Sequence, residues 1–275
     1  MGIDGLRGGR SAGMDNIPDP LDFLRRIETM SASDIAREVK KPSALLMERA
    51  AARQGELEVA YAPFDHVNGS ARVVIVGITP GRTQMEAAIN AAKSGYLMKL
   101  PEEKILERAK VHASFSGDMR PDLVALLDFI GMPRVLGVGS TNELWGRAAS
   151  LVHFTSALRY PTFFNGENYN GTPRVGSDPL LQRHVKAWFG AEVAALKDAI
   201  FVLLGGKVED FVLPVLQAGG VPDGRIIRGF FHPSGANRER VKYFLGTLGK
   251  PPSVKVDREK TDRNREEIIA KVSAL

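Results

Sequence analysis

Apolar residues recur at helical spacing from Leu21 to Ile27 and again from Ala32 to Ala52, with Ser31 and Ser33 placed as caps and Pro42 as a break. Residues 16–66 are therefore expected to form a helical extension, closed by a loop at Pro63 and Asn68-Gly69. Val73 to Ile78 is an unbroken β-branched run, the pattern of a strand buried on both faces. Helices are predicted at Thr83–Ala92, Glu102–Val111 and Pro121–Ile130, the last with Pro121 in its first turn and Gly131 just past its end. A short strand at Leu151–Thr155 precedes a Gly-, Asn- and Pro-rich loop, Tyr160–Ser177. Pro179–Leu196 is read as helix with a break near Gly190. The chain then alternates: strand Phe201–Leu204, helix Glu209–Gln217, strand Arg225–Phe231, helix Ala236–Leu245. Strands separated by helices predict an α/β fold of three layers, α/β/α, around a mainly parallel sheet. The expected organisation is a disordered segment 1–15 (with Met14 a second candidate start), the extension 16–66, a domain 67–250 and a charged helical tail 251–275.

Composition narrows this little. The chain has 275 residues, a formal net charge of +5 and no cysteine. Disulfides and thiolate metal sites are excluded, which fits a reducing cytoplasm. No apolar run is long enough to cross a membrane, and residues 1–15 lack the apolar stretch of a signal peptide. The mild basic charge permits a nucleic-acid partner without arguing for one.

Ligands of open parallel sheets bind outside the carboxyl ends of strands, and two strand ends carry unusual chemistry. The first reads Gly77-Ile78-Thr79-Pro80-Gly81-Arg82 and leads into a helix whose N–H groups suit an anion or a polar base edge. It lacks the Gly-Lys-Ser/Thr ending of a phosphate loop. The second reads His232-Pro233-Ser234-Gly235-Ala236-Asn237-Arg238. Its histidine suits charge stabilisation near neutral pH, although a lone histidine also serves as a structural hydrogen bonder.

Together these turns resemble the two motifs of the uracil-DNA glycosylase superfamily, the first its Gly-Ile-Asn-Pro-Gly turn and the second its His-Pro-Ser loop. Between them, Ser114-Phe115-Ser116 resembles the segment whose phenylalanine stacks on a flipped base. Phe154 to Leu158 resembles the strand end that reads the base edge, with Ser156 where an asparagine is usual. The resemblance spans about residues 70–250 and implies a DNA glycosylase acting on a base flipped out of DNA. It requires the turns near Thr79 and His232 to meet at one rim of the sheet.

On this resemblance His232, Thr79 and Asp118 are the catalytic candidates, His232 for the departing base and Thr79 for the attacking water. Asp118 or Glu86 would activate that water, each reading equally as a capping or first-turn residue. Ile78, Gly81, Phe115 and Ser156 would bind the base. Arg82, Ala236, Asn237, Arg238 and Arg240 would contact DNA, the tail of the second turn serving as a wedge. No metal, cofactor or protein partner is expected. Thr79 stands where the superfamily has Asp or Asn, and with Ser156 this disfavours ordinary uracil excision. Gly81 replaces a bulky tyrosine of the uracil-specific branch, and the loop from Tyr160 to Gly171 is rich in amides. A larger pyrimidine, hydroxymethylated or glucosylated as in some phage DNA, fits those features, in a repair or anti-phage role. The alternatives are a catalytically weak DNA- or nucleobase-binding module, and an unrelated α/β enzyme acting on a nucleoside or phosphate ester.

Overall fold

A computed structural model describes residues 18–275. The expected disordered segment 1–15, with Met14, lies outside the described residues. In chain order the elements are α1 (Pro20–Thr29), α2 (Ala32–Lys40), β1 (Leu46–Ala52), β2 (Gly55–Ala60), β3 (Val73–Gly77), α3 (Arg82–Leu97), α4 (Glu102–Ala113), α5 (Met119–Phe129), α6 (Met132–Leu136), β4 (Val152–Ser156), β5 (Thr162–Phe164) and β6 (Glu167–Asn168). There follow α7 (Pro179–His184), a π-helical turn (Val185–Phe189), α8 (Gly190–Leu196), β7 (Ile200–Leu204), α9 (Gly206–Ala218), β8 (Ile226–Phe230), α10 (Arg238–Phe244) and α11 (Arg258–Ser273). The fold is α/β, with one mostly parallel sheet and one antiparallel sheet, and is compatible with a three-layer α/β/α arrangement. Among the described residues, no helix is long and apolar enough to cross a membrane.

The described residues separate into two compact units. The first holds residues 18–67, 78–114 and 154–195. Helix α2 starts at Ser31, where the sequence places a cap, and α1 is capped by Asp19, which is not among the expected caps. Asp19 accepts from the Leu21 amide at 3.0 Å, and Ser31 and Asp34 bond each other's backbone N–H at 3.1 and 2.8 Å. The helical extension ends there. Residues 46–60, expected as helix, form the hairpin β1–β2, which pairs onward with β5 and β6 in the order β1-β2-β5-β6. The alanines of β1 favour helix, but cross-strand pairing and burial of Leu57 and Val59 outweigh that weak propensity. Asn165 closes the hairpin, its Oδ1 accepting from the Glu56 amide at 2.9 Å. It occupies the space a side chain on Gly55 would need, 1.9 Å from an added Cβ. The expected loop from Tyr160 to Ser177 thus contributes two strands.

The second unit holds residues 68–77, 115–153 and 196–275. The sheet order is β4-β3-β7-β8, with β3, β7 and β8 parallel. Every residue of β3 and β7 is buried, as a strand covered on both faces requires. The tail helix α11 is charged on most sides, yet it is docked rather than merely solvated. Ile268 and Val272 are buried, and Asn264 Nδ2 donates to the Gly229 carbonyl of β8 at 2.7 Å.

Candidate functional site

In the first unit, the turn ahead of α3 is tied down by its own polar groups. The Ile78 carbonyl accepts from the Leu158 amide at 3.0 Å. The Thr79 hydroxyl donates to the Tyr160 carbonyl at 2.9 Å and accepts from the Thr162 amide at 3.1 Å. A hydroxyl has one proton to give and two lone pairs, so Thr79 keeps one lone pair and no donor for a water.

The first N–H groups of α3, expected to face a ligand, already have partners. Gly81 donates to Gln84 Oε1 at 3.0 Å, and Arg82 donates to Asn168 Oδ1 at 3.2 Å. A Cβ at Gly81 would stand 3.2 Å from both amide side chains. The space beside Gly81 is therefore edged by Asn168 and Gln84. Arg82, expected on DNA, reaches the Lys40 and Gly166 carbonyls at 3.0 and 2.7 Å and lies over the Phe163 ring at 4.4 Å. It joins α2 and the β5–β6 hairpin to the start of α3. Glu86 is exposed on the first turns of α3, and Ser156 ends β4 half-buried.

Beside Ser156 lies a buried charged cluster that the sequence does not announce. Glu192 of α8 accepts from the Thr155 hydroxyl and from Arg159 Nε at 2.9 Å, and Lys110 of α4 approaches it at 3.5 Å. Asp65 accepts from the Tyr61 hydroxyl at 2.9 Å and from the Tyr160 hydroxyl. Burial pushes the Asp65 carboxyl above the usual range and lowers Lys110 to about 8, against the pull of Glu192. Burial also opposes the charge of Arg159, but Glu192, Tyr160 and Asp65 outweigh it and hold the guanidinium protonated. The Lys110 ammonium donates to the His66 carbonyl at 2.7 Å. Burial, helped by Lys110, lowers the His66 ring to about 4. These bonds anchor the segment 155–160, which carries Ser156 and the carbonyl that holds Thr79.

In the second unit, β8 ends at Phe230 and releases the histidine turn. The His232 carbonyl accepts from the Ser234 amide and from Asn237 Nδ2, both at 2.9 Å. Gly205, at φ +113°, passes beside the His232 backbone, 3.6 Å from where its Cβ would stand. Only a residue free to take that conformation fits there. The His232 ring is half-buried, and burial lowers its pKa, so the ring is neutral at neutral pH. Phe115 is buried with φ +52°, a conformation uncommon for an aromatic residue and suggestive of a functional constraint. A cavity of about 490 Å³ is lined by Gly117, Arg120, Pro121, Val124, Ala125 and Asn142. The Arg120 guanidinium lies over the Trp145 ring at 5.0 Å.

The remaining residues expected on DNA separate into tied and free. Asn237, besides holding His232, accepts from Arg240 at 3.1 Å, and Arg240 also donates to the Lys255 carbonyl at 3.2 and 3.0 Å. Both are braces of the turn. Ala236 is exposed. Arg238 meets Asp118 at 3.4 Å and Asp122 at 3.8 Å. Asp118 is 84 % exposed and makes no capping bond to α5. Among the described residues, no group of three His, Cys, Asp or Glu side chains stands together for a metal ion.

No protein-family model matches the chain. It is 33 % identical over 195 residues to "Uncharacterized protein YoxB" of Bacillus subtilis (strain 168), covering 70 % of this chain and 76 % of that protein. At that identity and coverage, the chain belongs to the same family as the Bacillus subtilis YoxB protein.

Proposed function

We propose that the protein is a cytoplasmic DNA glycosylase. It would hydrolyse the N-glycosidic bond of a damaged or modified pyrimidine extruded from DNA, with a hydroxymethylated or glucosylated base as the favoured class. The observation that carries this reading is the braced, neutral His232. A leaving pyrimidine accumulates negative charge on its ring nitrogen and carbonyl oxygen, and a preorganised neutral N–H donor stabilises that charge by hydrogen bonding. The turn is held by Ser234, Asn237 and Gly205, so little reorganisation accompanies the reaction. Phe115, locked by its backbone, supplies an aromatic face for stacking. The amides of Asn168 and Gln84 beside Gly81 favour a polar substituent over a methyl group. Whether the target belongs to a damaged genome or to an invading phage follows from which base is removed.

Thr79 favours a second reading. Its only hydroxyl proton goes to Tyr160, so a water near it is held by a single lone pair. A protein of this kind that binds a base and releases it unchanged is the catalytically weak module.

DNA oligonucleotides carrying uracil, 5-hydroxymethyl and glucosylated pyrimidines, incubated with the protein and then with alkali, separate the two. Strand breaks at one modified base are expected, with His232→Ala slower by roughly 100- to 1000-fold. Equal rates in His232→Ala would refute the assigned role. Binding without breaks on every base would leave the module.

A further inference from the structure

The turn after α10 has features that none of the roles above uses. Residues 238–260 hold seven Lys and Arg against three Asp and Glu. Two of those charges act inside the protein. Glu239 accepts from the Ser253 amide at 2.8 Å and from its hydroxyl at 2.6 Å, and Arg240 grips the Lys255 carbonyl. Val256 is buried beneath, and Pro251-Pro252 stiffens the segment. The loop is therefore braced at Ser253 and Lys255, and the residue between those two braces is Val254, fully exposed. Lys250 and Lys255 flank it, both exposed, with Arg258 and Lys260 exposed just beyond. A rigid loop that holds one apolar side chain out between cations is costly in water and suits a polyanion with an apolar step beside each charge.

We infer that the loop 246–255 is a DNA-binding element, with Lys250 and Lys255 on backbone phosphates and Val254 packed against sugar or an opened base step. It rests on the DNA partner of the proposed function, but not on the chemistry at His232. Double-stranded DNA matches the pattern because its phosphates flank apolar sugar edges, and apolar side chains wedge between its base steps. The braces lower the ordering cost that a mobile loop would meet on binding.

The test is anisotropy of a labelled, unmodified DNA duplex titrated with the full chain over a salt series. Each phosphate neutralised contributes about 0.9 to the slope of log affinity against log salt. The double variant Lys250→Ala/Lys255→Ala is expected to lower the slope by about 1.8. Val254→Ser is expected to weaken binding roughly 3- to 10-fold with the slope unchanged. All three positions are exposed, so the thermal midpoint should not move. A slope that stays the same in the double variant overturns the inference, as does a wild-type chain that binds no duplex. Pelleting with phosphatidylserine vesicles that Val254→Ser abolishes, while DNA binding is untouched, would reassign the loop to a lipid surface and overturn it as well. Duplex binding with the expected slopes, but no excision of any base, would sink the glycosylase and leave this element standing.

Discussion

Replacing Glu192 by Gln tests whether the buried cluster holds the first unit together through charge. The variant keeps the size and most hydrogen-bonding capacity of the side chain but removes the carboxylate that Arg159 and Lys110 share as an ion-pair partner. Two contributions follow. Arg159 loses a charge-assisted pair, and such bonds are worth about 1.5–3 kcal/mol. Lys110 loses the attraction that keeps its pKa at about 8 despite burial, and without it the folded-state value drops further. The wild type still holds its proton at pH 7, one unit below its pKa, and a variant whose folded lysine falls well below 7 does not. That difference is worth about 1.4 kcal/mol at pH 7. The total, about 3–4 kcal/mol, falls within what breaking a buried ion pair usually costs. The pH dependence has a definite sign. Both proteins share the unfolded lysine, whose pKa is the ordinary 10.5. Only the wild type binds a proton at Lys110 in the folded state between the variant's lowered value and about 8. The gap between them therefore widens as pH falls, by up to about 1.4 kcal/mol from pH 7 to 6, and narrows as pH rises through 8. Urea unfolding followed by circular dichroism at pH 6, 7 and 9 reads the gap directly. A loss below about 1 kcal/mol at pH 7, or one that does not change across that range, would refute this account of the cluster.

Other perturbations probe the remaining assignments. Thr79→Val leaves the Thr162 amide without its partner and the Tyr160 carbonyl with the Thr162 hydroxyl alone, and should cost about 1–3 kcal/mol in urea unfolding, with Thr79→Ser restoring most of it. His66, lowered to about 4 in the folded state, makes the unfolded chain the better proton binder between about 4 and the ordinary 6.5. Folding stability is complete above that window and declines as pH falls through it, so His66→Asn should flatten the acid limb of a melting-temperature profile by about 1–2 kcal/mol at pH 5. Arg82→Met should lower stability by about 1–3 kcal/mol, through the lost bonds to Lys40 and Gly166, and leave the salt dependence of DNA binding unchanged. A reduced salt slope in that variant would return Arg82 to the DNA surface.

What could be read from the sequence was local. The strands β3 and β7 announce themselves because burial on both faces demands unbroken apolar runs such as Val73 to Val76. The cap at Ser31 and the stop before Pro42 work within one turn of chain. The hairpin β1–β2 was hidden because its alanines carry a helical preference that only the distant strand β5 overrides, by pairing with β2. The charged cluster was hidden for a related reason. Lys110 and Glu192 sit among apolar residues on their own helices, and Tyr160 finds Asp65 95 positions away. A charged residue at an apolar-periodic position is the one trace such a cluster leaves in a sequence.

The predicted site residues show what local reading omits. A turn followed by a helix offers free N–H groups in principle, and Thr79 offers a hydroxyl in principle, but each offer holds only until partners are counted. Gln84 and Asn168 have taken the Gly81 and Arg82 amides through their oxygen atoms. An amide side chain bonded through its oxygen still presents an NH₂ group. The donor capacity that the sequence assigned to the backbone of this turn is thereby handed on to the Asn168 side chain beside Gly81. Side-chain amides tolerate substitution where backbone N–H groups do not, so the identity of the base in the proposed reaction should respond to changes at Asn168. If Asn168→Ala leaves substrate preference among modified pyrimidines unaltered in the alkali-cleavage assay, the amides beside Gly81 cap the helix and read nothing.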